Sequence, residues 1–323
     1  MAVPLRIGVI GCGVIGRLHV ERLNADPRAC VAVLCDPSAD AAESVRRSFA
    51  LDAVVETDLH AALSKHDLQA VVVASPTLLH FEQVCQAFEL GLDVLCEKPL
   101  AASREQIVEL IARRDRTGRR LAVSYQRRYK APYQTARREL TERADWYGPL
   151  QEVHVFVCER WQQTIRDTWR DDPRVGAGYF GDAGSHQIDV MNFISGQRPE
   201  KVLAVSDRCG SRVEIVTRAM ARLTGGAGMM AHFVGNANHW SEDIHFHCRD
   251  ADLLLRREKL YRAKQNQLEP ILDLLPDSSP DQAFLDTLIE GAEIIAPAEA
   301  ALPMYDWTAG VLRSIESGEW VTV

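Results

Sequence analysis

No apolar run in this sequence approaches the ~20 residues that a membrane-spanning helix needs. That excludes an integral membrane protein of the helical kind. The chain also lacks paired cysteines. Its eight fall at positions 12, 30, 35, 85, 96, 158, 209 and 248, and no two form a C-x-x-C pair. A zinc or dithiol redox signature is therefore absent, and no metal is expected. Several of these cysteines stand in apolar runs, where the thiol behaves as a small hydrophobe. A reducing, cytoplasmic setting is expected. An excess of positive charge is missing too: 37 Lys and Arg stand against 45 Asp and Glu, a formal charge of −8. That balance argues against a nucleic-acid or membrane-surface partner. The densest basic patch, residues 113–120, reads as a solvated helix end and turn. A strand signal begins almost at the first residue, so no signal peptide is expected. There is no internal repeat and no low-complexity linker, and 323 residues suggest two domains.

What the chain does have is a glycine-rich turn in a telling place. Leu5-Arg6-Ile7-Gly8-Val9-Ile10 reads as a buried strand that runs into Gly11-Cys12-Gly13-Val14-Ile15-Gly16 and then a helix. A lone G-x-G-x-x-G is weak. Here a second strand follows over 31–35 and ends in Asp36, twenty residues after Gly16. In that setting Gly11 serves a tight turn, and Gly13 lets a pyrophosphate approach the backbone. Gly16 lets helix and strand pack closely. The N–H groups at the helix start, from Val14 and Ile15 onward, face the phosphates. Asp36 accepts hydrogen bonds from the ribose hydroxyls and repels a 2′-phosphate, so NAD is expected over NADP.

The alternation continues. Helical patterns over 38–49, 59–63, 78–90 and 103–116 separate strand-like runs at 53–55, 70–74, 93–96 and 121–124. The run Ala70-Val71-Val72-Val73-Ala74 is apolar throughout, as a strand covered on both faces must be. This predicts an α/β fold with a doubly wound parallel sheet over residues 1–124. Ligands bind beyond the carboxyl ends of such strands. Gly11–Gly16, Asp36, Ser75-Pro76-Thr77 and Glu97-Lys98-Pro99 all fall there. From residue 125 the style changes. A helix over 133–144 is followed by strand signals at 151–157, 201–206, 213–223, 229–233, 244–248 and 251–255, with Gly225-Gly226 as a hairpin turn. Residues 125–323 thus read as an α+β domain on an open, mostly antiparallel sheet, with helices over 281–290 and 302–317.

Two stretches carry chemistry. Lys98, at a strand's carboxyl end, can bond to a substrate oxygen and stabilise an alkoxide as hydride leaves. Pro99 permits a cis bond before it. In the stretch 176–189, Asp182, His186 and Asp189 stand at i, i+4 and i+7, which one continuous helix would bring to a single face. A carboxylate beside His186 would set its tautomer, and His titrates where proton transfer is useful. Arg127, Trp169 and Tyr179 are weaker candidates for substrate contact.

These motifs together resemble the glucose–fructose oxidoreductase, inositol dehydrogenase and MocA (Gfo/Idh/MocA) family. They are Gly11-x-Gly13-x-x-Gly16 with His19, Pro76-Thr77-x-x-His80, Glu97-Lys98-Pro99, Trp169-Arg170-Asp171-Asp172-Pro173, and Gly178-x-x-x-Asp182-x-Gly184-x-His186-x-x-Asp189. The resemblance implies hydride transfer between nicotinamide and a hydroxyl-bearing carbon of a sugar, inositol or related polyol. Lys98 would polarise the oxygen, His186 would act as general base, and Asp182 would be its partner or a substrate ligand. Ser75, Pro76, Thr77, His80 and Glu97 would line the cofactor cleft. It further implies a homodimer or homotetramer through the C-terminal sheet, with the final helix packing back on the N-terminal domain. Departures are Gly176-Ala177-Gly178 for three glycines, and Gln126-Arg127-Arg128-Tyr129 for an Asn-Arg-Arg-Phe-like segment. An NAD-requiring glycoside hydrolase or lyase working through transient oxidation is an alternative, as is a non-catalytic NAD-binding regulator.

Overall fold

The computed structural model describes residues 3–173 and 178–323. In chain order, β1 (Leu5–Ile10), α1 (Val14–Asn24), β2 (Ala29–Cys35), α2 (Ala39–Ser48), β3 (Val54–Glu56), α3 (Leu59–Ser64), β4 (Ala70–Val73), α4 (Thr77–Glu89), β5 (Asp93–Cys96), α5 (Arg104–Thr117) and β6 (Leu121–Val123) alternate. Then come α6 (Ala131–Glu142), α7 (Ala144–Tyr147), β7 (Leu150–Cys158), α8 (Trp161–Ile165), α9 (Gly178–Asp182) and α10 (Ser185–Ser195). Seven strands follow: β8 (Pro199–Asp207), β9 (Val216–Leu223), β10 (Gly228–Val234), β11 (Ser241–Cys248), β12 (Asp252–Arg256), β13 (Lys259–Lys264) and β14 (Gln267–Pro270). The chain closes with α11 (Pro280–Glu290), α12 (Ala301–Ser317) and β15 (Val321–Thr322). No helix among the described residues is long and apolar enough to cross a membrane.

The chain divides into two units, residues 1–129 with 278–302, and residues 130–277 with 303–323. A single cut after residue 124 misses the return of 278–302 to the first unit. The helix that comes back is α11, whereas most of α12 belongs to the second unit. The reason is apolar: Phe284 and Leu285 of α11 are buried in one core with Val20 and Leu23 of α1, Val31 and Leu34 of β2, and Leu95 of β5.

In the first unit six parallel strands take the order β3-β2-β1-β4-β5-β6. The order reverses at β1, so the carboxyl edge beside β1 and β4 is the switch point where ligands bind in such sheets. Ala70–Val73 is fully buried, as its unbroken apolar run requires. Ser38, Asp58 and Ser103 cap α2, α3 and α5 through their side chains. The basic patch at the end of α5 is laced to acids: Arg113 to Glu109, and Arg114 to Glu299.

The second unit has nine strands in the order β14-β13-β12-β11-β7-β10-β9-β8-β15. All neighbours are antiparallel except β7 and β10. The hairpin expected at Gly225-Gly226 joins β9 to β10. Alternate residues point to opposite faces. Val153, Val155, Val157, Ala231, Phe233, Ile244 and Phe246 are buried on one face. On the other, Phe156, Val205, Met220 and Met230 are exposed large apolar side chains.

Candidate active site

The glycine loop is built by close approach. Gly11 has φ +94°, and a Cβ there would meet the Ala74 carbonyl oxygen at 2.7 Å. Only glycine lets β1 end against the end of β4. A Cβ on Gly16 would lie 1.9 Å from the Gly11 carbonyl oxygen, so α1 starts at a distance no side chain permits. Around Gly13 there is open space instead. No side chain caps α1, and its first turn holds no acid. Its leading N–H groups therefore suit a phosphate. Val14, 84% exposed, and Ile15 present apolar surface at the same edge. These features fit a dinucleotide.

Asp36, half-buried after β2, spends part of its carboxylate on the loop itself. Its two oxygens accept the backbone N–H groups of Cys12 (2.8 Å) and Ser38 (2.9 Å). Each oxygen keeps further acceptor capacity for ribose hydroxyls. The Cys12 thiol beneath is pushed up to about 12 by burial and then by Asp36, so it stays protonated and unreactive.

Past β4, Pro76 is exposed, Ser75 and Thr77 are half-buried, and Thr77 opens α4. The Ser75 hydroxyl donates to Gln83 at 2.6 Å. His80 is buried. Its Nε2 lies 2.8 Å from the Ser75 carbonyl oxygen and its Nδ1 2.9 Å from that of Pro99. Burial opposes a charge on the ring and pushes its pKa down, while the two carbonyl oxygens, which can both accept only from the doubly protonated ring, oppose that fall. Lys98 stands half-buried at the end of β5, and its bond to Pro99 is cis.

Glu97 faces inward. Its Oε1 accepts from His19 Nε2 at 3.1 Å, and its Oε2 accepts the Lys98 backbone N–H at 3.1 Å. His19 Nδ1 donates to Asp281 of α11 at 2.7 Å. Burial opposes a charge on His19, but Asp281 and Glu97 outweigh it and push its pKa up to about 9. Sequence reasoning found His19 only as part of a motif and missed Asp281, whose partner lies 262 residues away.

In the second unit the expected single helix through Asp182, His186 and Asp189 is broken. Asp182 ends α9 and Ser185 opens α10, with Ala183 and Gly184 between, so that His186 is the second residue of the new helix. The Gly184 N–H turns back to the Tyr179 carbonyl at 2.8 Å, and the Ser185 hydroxyl donates to the Asp182 carbonyl at 2.6 Å. The helix is thus interrupted between Asp182 and His186, while His186 and Asp189 stay one turn apart in α10. The Asp182 carboxylate pairs with Arg170 at 3.1 Å. His186 is half-buried, whereas Tyr179 and Asp189 are buried. Beside His186, Gln187 donates to the buried Glu242, which also accepts from the Tyr133 hydroxyl. This clasp joins α6, α10 and β11, and it too escaped sequence reasoning. Arg127, in the first unit, is half-buried in a 3-10 turn over Gln126–Tyr129. The Trp169 side chain, and Gly176 and Ala177, lie outside the described residues.

Residues 5–125 match a family model described as an oxidoreductase family with an NAD-binding Rossmann fold. Residues 133–251 match the Gfo/Idh/MocA C-terminal domain. An inositol 2-dehydrogenase from Streptomyces avermitilis is 32% identical over 211 residues, which is 64% of this chain and 58% of that protein. The chain thus spans little more than half the length of that relative. Among solved structures, an oxidoreductase domain protein from Kribbella flavida is similar at TM-score 0.88 and 22% identity, with 100% of both chains covered. A dehydrogenase from Bordetella pertussis, in complex with NADH and UDP-GlcNAcA, is similar at TM-score 0.84 and 20% identity, over 100% of this chain and 98% of that one. Six parallel strands, the glycine loop with its acid and the matches to both family domains lead to one conclusion: this chain belongs to the Gfo/Idh/MocA family of oxidoreductases and carries that family's NAD-binding Rossmann fold.

Proposed function

We propose that this protein is an NAD-dependent dehydrogenase that oxidises a secondary hydroxyl of a cyclic polyol such as an inositol, or of a sugar. One observation carries the reading. At the carboxyl edge of the parallel sheet, Asp36, the glycine loop, Ser75–Thr77 and Lys98 follow one another on neighbouring strands. The Ser75 and Pro99 loops are tied by His80. A cationic amine therefore stands two strands from the nucleotide loop. The curated relative's name supports an inositol as substrate.

In this reading NAD, when bound, supplies the two-electron acceptor. The Lys98 ammonium bonds to the reacting hydroxyl oxygen and stabilises negative charge on it as the carbon–hydrogen bond breaks. His186 takes the hydroxyl proton, and the products are a ketone, NADH and a proton. Asp182, held by Arg170, orients the base or the substrate. Asp36 selects NAD over NADP through its charge. The exposed apolar face of the second sheet, with Val205 57% and Met230 48% exposed, supports association with a second copy of this chain. All eight cysteines are unpaired, which supports a reducing cytoplasm.

The test is a reduction assay with NAD and NADP over inositols, sugars and sugar acids. Lys98→Ala and His186→Ala are each expected to lower kcat at least ~10²-fold, with NADH binding kept. Wild-type turnover in either variant removes that residue from the mechanism. Turnover of a glycoside without NADH accumulation would replace oxidation by the elimination route.

A further inference from the structure

Behind the loop that carries Lys98 lies a row of ionisable groups from three distant parts of the chain. Asp281 comes from the first turn of α11, His19 from α1, and Glu97 from the end of β5. Asp281 and His19 are almost wholly buried. Asp281 Oδ1 accepts from His19, and its Oδ2 meets Arg22 at 3.3 Å. Glu97 Oε1 takes the other imidazole N–H, and Oε2 the Lys98 backbone N–H. No carboxylate oxygen in the row is left without a hydrogen-bond donor.

Cohesion does not explain this arrangement. A buried ion cluster is at best roughly neutral against a well-packed apolar one. The same two helices already join through Val20, Leu23, Phe284 and Leu285. What the row does is commit Glu97. A carboxylate next in sequence to Lys98, if its oxygens were uncommitted, could swing outward and pair with the ammonium. It would then neutralise the charge that the reaction needs. With His19 on one oxygen and the Lys98 backbone on the other, Glu97 is turned inward, and the turn that bears the amine is held.

The geometry points to Asp281 as a positioning residue: acting through His19, it fixes the Glu97 carboxylate, and Glu97 fixes the backbone of Lys98. This deepens the dehydrogenase reading and rests on the role given there to Lys98. The local half of the claim is tested without turnover. Amide hydrogen exchange of the segment 97–100 is compared in the wild type and in Asp281→Asn, both with the full chain at pH 7. Exchange there is expected to rise about tenfold more than in β1 and β4, which themselves lose the protection that a charged His19 confers. No change at 97–100 overturns the relay. So does an equal rise across the whole sheet, which marks mere loss of stability. Glu97→Gln gives the same reading should Asp281→Asn fail to accumulate.

The catalytic half uses kinetics. Asp281→Asn is expected to lower kcat about 10- to 100-fold, with KM for NAD held within about twofold, and Asp281→Glu to restore part of it. In a Lys98→Met background Asp281→Asn should cost nothing more, because both act through the same amine. A full multiplicative loss in the double variant overturns the proposal. Should the wild type oxidise no polyol or sugar, the dehydrogenase reading falls, while the exchange result still decides the relay.

Discussion

The charge at His19 should make the first unit's stability depend on pH in a defined window, and His19→Gln should abolish that part of the dependence. The free imidazole titrates near 6.5, and between Asp281 and Glu97 it titrates at about 9. A folded pKa above the unfolded one adds stability that is fully present below pH 6.5 and is lost as pH rises through 9. At ~1.4 kcal/mol per tenfold, the difference amounts to about 3 kcal/mol, of which about 2 kcal/mol disappears between pH 7 and pH 9. The groups facing His19 are Asp281 from α11, backed by Arg22, and Glu97 beside Lys98. Glu97 works in the other direction. Burial opposes its charge, but His19 outweighs burial and holds its pKa below the usual range. Its stabilisation is complete above about pH 4.5 and is lost only in acid. Burial also pushes up the thiols of Cys12, Cys35 and Cys248, whose contribution to stability falls as pH rises toward 9, so only the difference from His19→Gln isolates the imidazole. The measurement is protection of β1 and β4 amides in the wild type and in His19→Gln, compared at the same pH so that intrinsic exchange cancels. The protection advantage of the wild type should shrink about 30-fold from pH 7 to pH 9. An advantage that stays constant over that range refutes a charged His19.

Two further outcomes follow from the nucleotide loop. Gly16→Ala places a Cβ where the Gly11 carbonyl oxygen now lies at 1.9 Å, so α1 must move away from the loop. NADH affinity, read by fluorescence titration, should fall at least ~10-fold, and unchanged affinity would refute the close-approach argument. Asp36→Ala removes the carboxylate that holds Cys12 and Ser38. It should narrow the preference for NADH over NADPH by about tenfold or more in the same titration, and tighter NADPH binding by the native protein would contradict the role of Asp36.

The local features were legible, and the long-range ones were not. Alternation of apolar runs with amphipathic helices determines a parallel sheet because each strand must be covered twice, and the six strands appear as read. Gly225-Gly226 marks its hairpin by turn chemistry alone. Nothing local says that β7 lies parallel to β10, since that pairing joins runs some 75 residues apart. Nor does residue spacing show that a helix ends at Asp182. The pattern through Asp189 suits a helix, and the break comes from a tertiary turn at Gly184. Asp281 looks like any acid at a helix start, since only its distant partner gives it a role.

The same distinction separates what a motif letter is from what it does. Asp36 and Glu97 read as cofactor contacts because they stand at strand ends, and His80 because the family resemblance implies it. In the structure each also spends hydrogen-bonding capacity on the scaffold: Asp36 on the glycine loop, His80 on the loops after β4 and β5, Glu97 on His19 and the Lys98 backbone. A reacting edge made of four separate loops can hold sub-ångström geometry only if neighbouring loops are tied to each other, because each strand end alone frays. Catalysis by positioning demands that rigidity. Residues of this kind are constrained twice, by the ligand side and by the loop behind it. Substituting one should therefore disturb its neighbour's loop as much as its own contact.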